Sequence, residues 1–142
     1  MTPSQLPDAL IAAYRAAHYV CGHGANAFVL RIGVPSPPLA SLCRAAGASS
    51  AAFLTACNPG SEPQPAEVNA QAHVRLGAEL TAAGYHLVPG AGKDPTGVWT
   101  AEPSYLVLGM ALDEAQEVGR RYGQNAIVWA GADAVPELVL LR

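Results

Sequence analysis

The chain has 142 residues, which suits a single domain, 1–142, large enough to bury a core of its own. A net charge of −3, with Arg15, Arg31, Arg44, Arg75, Lys93, Arg120, Arg121 and Arg142 scattered along the sequence, argues against a nucleic-acid partner, which would select a clustered basic face. Only 13% of residues are charged and 51% are hydrophobic, much of that alanine, so two readings stand side by side: an apolar patch that makes a homo-oligomer, or alanine replacing Lys and Glu on exposed helix faces.

Residues 1–6 read as a loose tail. Pro7-Asp8 opens a helix in which Leu10, Ile11, Tyr14 and Ala17 fall at helical spacing, ending near Cys21-Gly22-His23-Gly24. Phe28, Leu30 and Ile32 alternate with Val29 and Arg31, as in a strand with one more buried face. Ser36-Pro37-Pro38 starts a short helix, with Ser as cap and Pro tolerated in the first turn, and Gly47 closes it. Ala51 to Ala56 reads as a buried strand, left through the polar loop Cys57-Asn58-Pro59-Gly60-Ser61. A helix follows from about Ala66 to Ala83, with Val68, Ala72, Leu76 and Leu80 on one face and Gly84 as its stop.

Tyr85 to Val88 is the next expected strand. Gly90-Ala91-Gly92 and Asp94-Pro95-Thr96-Gly97 read as a long turn. A further strand begins near Val98 and runs through Tyr105 to Leu108, and Pro103 within it predicts a bulge or an edge. Leu112 to Tyr122 forms a helix stopped by Gly123, and Ala126 to Ala130 a strand. Glu137 to Leu141 is a last strand, which Pro136 makes start late or lie at an edge. Strand–helix units mixed with hairpins predict an α+β fold: one compact domain with a mixed five- to six-stranded sheet and three or four helices.

No apolar run reaches the roughly 18 residues that would span a membrane. The N-terminus lacks a basic segment followed by an apolar core, so no signal peptide is expected. Cys21, Cys43 and Cys57 are odd in number and without paired spacing, which fits a reducing cytoplasm better than a disulfide framework.

No cofactor is implied. Gly22-His23-Gly24-Ala25-Asn26-Ala27 matches a loose dinucleotide pattern, but it is read as following a helix and preceding a strand, the reverse of what phosphate binding needs. Gly92-Lys93 lacks the Ser/Thr and the earlier Gly of a phosphate loop. His18, Cys21 and His23 have chelating spacing but no evident fourth ligand, so no metal is expected.

Cys57, beside Asn58 at a strand end and with His86 on another strand, has the makings of an activated nucleophile. A small apolar residue ending a buried strand is the commoner fate of a free cysteine and the preferred reading. The polar residues Asn58, Ser61, Asn69, Glu102, Ser104 and Gln124 are a better candidate site. If the strands on either side of them are close in the sheet, their amides, hydroxyls and carboxylate converge on a small polar molecule. An equally weighted reading makes the same groups structural: Asn58 and Ser61 as turn formers, Glu102 and Gln124 as partners for unpaired backbone.

Thr55-Ala56-Cys57-Asn58-Pro59, then Asn69, then Glu102-Pro103-Ser104, then Gly119-Arg120-Arg121-Tyr122-Gly123-Gln124-Asn125-Ala126 resemble the small bacterial family called domain of unknown function 3293. Its members carry a T-A-x-N-P segment, a downstream Asn on a helix, an acidic residue before a strand, and an F-G-Q-x-A-like ending to the last helix. Tyr122 stands here for the usual Phe. The resemblance covers about residues 28–130 and is strongest from 51 onward. It implies a compact cytoplasmic domain with no assigned activity, and a Cys57 position that accepts other residue types.

Three functions remain open. The first is a domain that binds a small polar ligand through Asn58, Asn69, Glu102 and Gln124, such as a nucleotide or an amino-acid derivative. The second is an interaction module whose polar motifs only hold the fold. The third is an enzyme with Glu102 as general acid or base, against which no histidine stands beside these motifs.

Overall fold

Ala51–Leu54 is buried at every residue, and it forms the third of seven strands. The computed structural model describes residues 4–142. In chain order the elements are α1 (Asp8–Ala16), β1 (His18–Cys21), β2 (Phe28–Leu30), α2 (Pro37–Ala46), β3 (Ala51–Leu54), α3 (Ala66–Ala82), β4 (His86–Lys93), β5 (Glu102–Leu108), α4 (Leu112–Arg121), β6 (Ala126–Ala130) and β7 (Glu137–Leu140). Residues 1–3 of the expected tail lie outside the described residues, and the Ser4 hydroxyl donates to the Arg142 carbonyl at 2.6 Å.

The strands lie in the order β2-β1-β4-β5-β3-β6-β7. Every pairing is antiparallel. The α+β class therefore holds, with seven strands rather than five or six and no parallel pair in the expected mixed sheet. The reason is the crossover pattern. After α3 the chain returns as β4, but β5 lies between β4 and β3; after α4 it returns as β6 beside β3, not beside β5.

Strand periodicity splits the core in two. Ala51 and Phe53 turn to one face, with Tyr19, Cys21, Leu106 and Leu39 of α2. Ala52 and Leu54 turn to the other, where Leu76 and Leu80 of α3 and Val118 of α4 cover them. The helix signals of α2 operate as read: the Ser36 hydroxyl accepts from the Leu39 N–H at 3.2 Å, and Gly47 ends the helix with φ 68°. Against this, α1 has no buried residue.

Three elements differ from the sequence reading, one of them β5, which begins at Glu102 rather than near Val98 because the Asp94 turn occupies residues 94–99. Helix α1 stops at Ala16, and His18–Cys21 forms β1, with Tyr19 and Cys21 facing the core. No Gly or Pro separates them; the turn is made at Ala17, which is extended at ψ 156°. Strand β4 runs on to Lys93 through the glycines read as a turn. Gly90 is there for close approach, because a Cβ would run into the Val20 carbonyl oxygen and lie 3.0 Å from the Phe53 ring. The edge position of β7 agrees with Pro136.

Candidate functional site

Strand β3 ends before β5 does. Leu54 pairs with Tyr105, so Glu102, Pro103 and Ser104 pair with β4 alone. Pro103 sits in this half-paired stretch, as its missing N–H requires. Its carbonyl accepts the Thr55 hydroxyl at 2.9 Å and the Cys57 thiol at 3.7 Å. The Thr55 oxygen also takes the Cys57 N–H at 3.1 Å. These contacts steer the chain leaving β3 across the end of β5.

Asn58 then enters the left-handed region at φ 46°, ψ 63°, where Asn is among the best-tolerated non-glycine residues. Its backbone N–H donates to Asn69 Oδ1 at 2.9 Å, and the Gln64 N–H donates to Asn58 Oδ1 at 3.0 Å. These two backbone donors fix which way both amides point, since an N–H must meet an oxygen. Asn69 Nδ2 therefore faces Asn58 Oδ1, at 2.8 Å, and Asn58 Nδ2 faces Glu102 Oε2, at 2.9 Å. The carboxylate thus sits at the end of a chain of amides whose orientation begins in the backbone.

Gln124 enters from the far end of α4. Its Nε2 donates to the Cys57 carbonyl at 3.0 Å and to the Tyr122 carbonyl at 3.3 Å. Gly123 makes this approach possible. A Cβ there would lie 2.9 Å from Pro59 Cβ, and the Gly123 carbonyl accepts the Gly60 N–H at 2.8 Å. Ser104 is buried, and its hydroxyl donates to the Glu102 carbonyl at 2.9 Å. Ser61 is joined to Tyr14 of α1 by a hydroxyl–hydroxyl bond, and Asn125 Nδ2 donates to both oxygens at 3.2 Å.

Asn58, Ser61, Asn69, Glu102, Ser104 and Gln124 all line one cleft of about 590 Å³, within the range of small-molecule sites. Its floor is the sheet face that carries Phe53, Tyr19 and Val128, and α1 roofs it through Leu10, Ala13 and Tyr14. Trp99 stands at one side. Asp94 holds that wall: its carboxylate accepts the N–H groups of Thr96, Val98 and Trp99, and those bonds with the Thr96 hydroxyl keep its carboxyl below the usual range.

Among the described residues Glu102 is the only carboxylate lining the cleft, and no Lys, Arg or His joins it there. Burial pushes its carboxyl above the ordinary range, with the Asn58 amide pulling the other way. Among the described residues the carboxylate takes one side-chain hydrogen bond.

The other candidates separate from this cluster. Cys57 is 1% exposed, and burial raises its thiol against the lowering hydrogen bond of Thr55. His86 pairs with Leu108, at the opposite end of β5 from Pro103, so it does not meet Cys57. Cys21 is fully buried, its thiol pushed up to about 12 by burial. Among the described residues no group of three or more His, Cys, Asp or Glu is placed to hold a metal. The glycines at Gly22 and Gly24 follow strand β1, not a helix, but lead to a single 3-10 turn and β2, so no helix N-terminus is presented. No helix among the described residues is long and apolar enough to cross a membrane.

The sequence reading missed the cleft's aromatic walls. Tyr19 and Phe53 meet edge to face at 5.3 Å between centroids, and Tyr14 and Trp99 also line the cleft. The available signal was scarcity: the chain is only 6% aromatic, and such residues are informative where they gather.

A family model described as Protein of unknown function (DUF3293) matches residues 54–127, from the end of β3 into β6. No match is found among curated proteins or among solved structures.

Proposed function

The chain belongs to the DUF3293 family, and we propose that its cleft binds a small polar molecule without transforming it. The observation that carries this reading is the Glu102 carboxylate, held in an otherwise uncharged cleft of about 590 Å³ with a single side-chain partner. A carboxylate kept only for folding would be surrounded by donors or a cation. Free cysteines at 21, 43 and 57 support a reducing compartment such as a cytoplasm.

Catalysis by Glu102 is the second reading, favoured by its raised carboxyl. It stands behind binding because no histidine, lysine or arginine among the described residues lines the cleft to share a proton. The interaction-module and homo-oligomer readings have less support. The exposed large apolar residues Val29, Val34, Val68, Val74 and Val98 are spread over β2, α3 and two loops.

The test is a thermal-unfolding screen of small polar metabolites on the parent chain and on Gly92→Leu. Gly92 lines the cleft, and a Cβ there would touch only the Tyr19 ring edge, at 4.0 Å. Gly92 pairs with Glu102 across β4 and β5, so a leucine there occupies the cleft beside the carboxylate. A cleft ligand at a hundred times its Kd stabilises the parent by about 2.7 kcal/mol and leaves Gly92→Leu unmoved. Equal stabilisation of both proteins would place the ligand elsewhere and end this reading.

A further inference from the structure

We infer that the ligand of this cleft is an organic cation, an ammonium or guanidinium that bears N–H donors and carries an apolar or aromatic body. The inference rests on the binding reading above and narrows it to one charge class.

The first argument is the hydrogen-bond capacity left over. The Thr55 hydroxyl proton goes to the Pro103 carbonyl, that of Tyr19 to the Tyr14 carbonyl and that of Ser104 to the Glu102 carbonyl. Both amide protons of Gln124 go to the carbonyls of Cys57 and Tyr122. Backbone oxygens thus absorb the donors of these side chains. Acceptor capacity remains at the Glu102 carboxylate and at Gln124 Oε1, which has no protein partner among the described residues although Gln124 is only 8% exposed. Donors remain too: one amide proton each of Asn58 and Asn69, the Gln64 amide, the Thr100 hydroxyl and the Trp99 indole N–H. The charged group among them is an acceptor, so the ligand that best matches the cleft brings donors to Glu102 and Gln124.

The second argument is charge. Among the described residues Glu102 has no cationic partner on any cleft wall. A bound anion would face the carboxylate with no Lys or Arg among the described cleft residues to offset it; the N-terminus of α3 at Ala66 reaches the cleft, but its roughly half charge is smaller than the full charge of Glu102, which argues against phosphates, nucleotides and carboxylates. A bound cation supplies the missing countercharge through a charge-assisted hydrogen bond. The third argument is the walls. Tyr14, Tyr19, Phe53 and Trp99 line the cleft with aromatic surface suited to a cation and its apolar body. The titratable groups around Glu102 are the Tyr14 and Tyr19 phenols and the Cys57 thiol, none of which carries positive charge.

The experiment uses three probes of one shape, benzylammonium, benzyl alcohol and benzoate, titrated into the isotope-labelled full chain and followed by the amide resonances of cleft residues. Benzylammonium is expected to bind at least about tenfold tighter than the other two. Its affinity for the parent chain should fall as pH is lowered through the Glu102 titration, because the protonated carboxyl no longer attracts it. Glu102→Gln should lose most of the preference for the amine while its melting temperature shows that it is folded. Gly92→Leu should bind none of the probes. Benzoate or benzyl alcohol binding the cleft as tightly as the amine would overturn the cation inference and leave the binding reading standing. No movement of any cleft resonance by any probe would overturn both.

Discussion

Asn58 and Glu102, 44 positions apart in sequence, are joined by one hydrogen bond of 2.9 Å whose direction is dictated by backbone groups elsewhere. The Gln64 N–H claims the oxygen of the Asn58 amide, so only its nitrogen is left for the carboxylate. Scaffold and site therefore share a residue, and the two roles can be separated by substitution.

Asn58→Ala removes the acceptor of the Gln64 N–H and of Asn69 Nδ2 and leaves at φ 46° a residue that tolerates the left-handed region less well than Asn. Unsatisfied partly buried donors and a left-handed alanine should together cost about 2–4 kcal/mol. Asn58→Gly should cost less, since it relieves the backbone alone. Urea titration of the two variants against the parent measures both; equal losses would assign the whole effect to the side-chain bonds.

Burial first, opposed by the Asn58 amide, holds the Glu102 carboxyl above its ordinary range. The folded chain therefore keeps that proton to higher pH than the unfolded chain does. The Glu102 contribution is full below the ordinary carboxylate range and is lost as pH rises through the raised folded value. Glu102→Gln keeps an acceptor for Asn58 and abolishes the titration. It should match the parent in acid and exceed it at neutral pH by about 0.5–2 kcal/mol. A Glu102→Gln curve parallel to the parent at every pH would refute this account.

Gly123→Ala should lose about 1–3 kcal/mol, from a side chain at φ 69° and from contact at 2.9 Å with Pro59. The loop from Asn58 to Ser61 has to move, so cleft binding should weaken as well. Gly84 is the control, left-handed at φ 91° but with open space around it. Gly84→Ala should show the backbone strain and leave binding intact. Calorimetric melting and probe titration separate the two effects.

Thiol labelling should find Cys21 and Cys57 silent in the folded chain, since both are buried and burial raises both thiols. Cys43, half-buried at the side of α2, should label first. Rapid modification of Cys57 by iodoacetamide at neutral pH would reopen the nucleophile reading.

Most helices were legible because their ends carry explicit chemistry: Ser36, Gly47, Gly84 and Gly123 punctuate the chain where the helices begin or stop. Strand β1 was hidden because α1 passes into it through Ala17 with no such mark. The length of β4 was hidden because Gly90 looks the same whether it bends a chain or admits the Phe53 ring. At the site, the polar residues were readable one by one. Their convergence depends on β5 lying beside β3, a long-range pairing that local patterns do not encode. The aromatic walls were less readable still, since Tyr14, Tyr19, Phe53 and Trp99 come from four separate segments, each with an ordinary structural reason to be aromatic.

The roof of the cleft has a kinetic consequence. No residue of α1 is buried, and side-chain hydroxyls tie it to the rest through Tyr14 with Ser61 and Tyr19 with the Tyr14 carbonyl. Its amides should exchange with solvent through a local opening far cheaper than global unfolding, while those of β3 wait for the whole molecule. Ligand capture would then saturate at the opening rate of one helix, and the ligand's residence time would be set by the lifetime of two tyrosine contacts rather than by the stability of the sheet beneath.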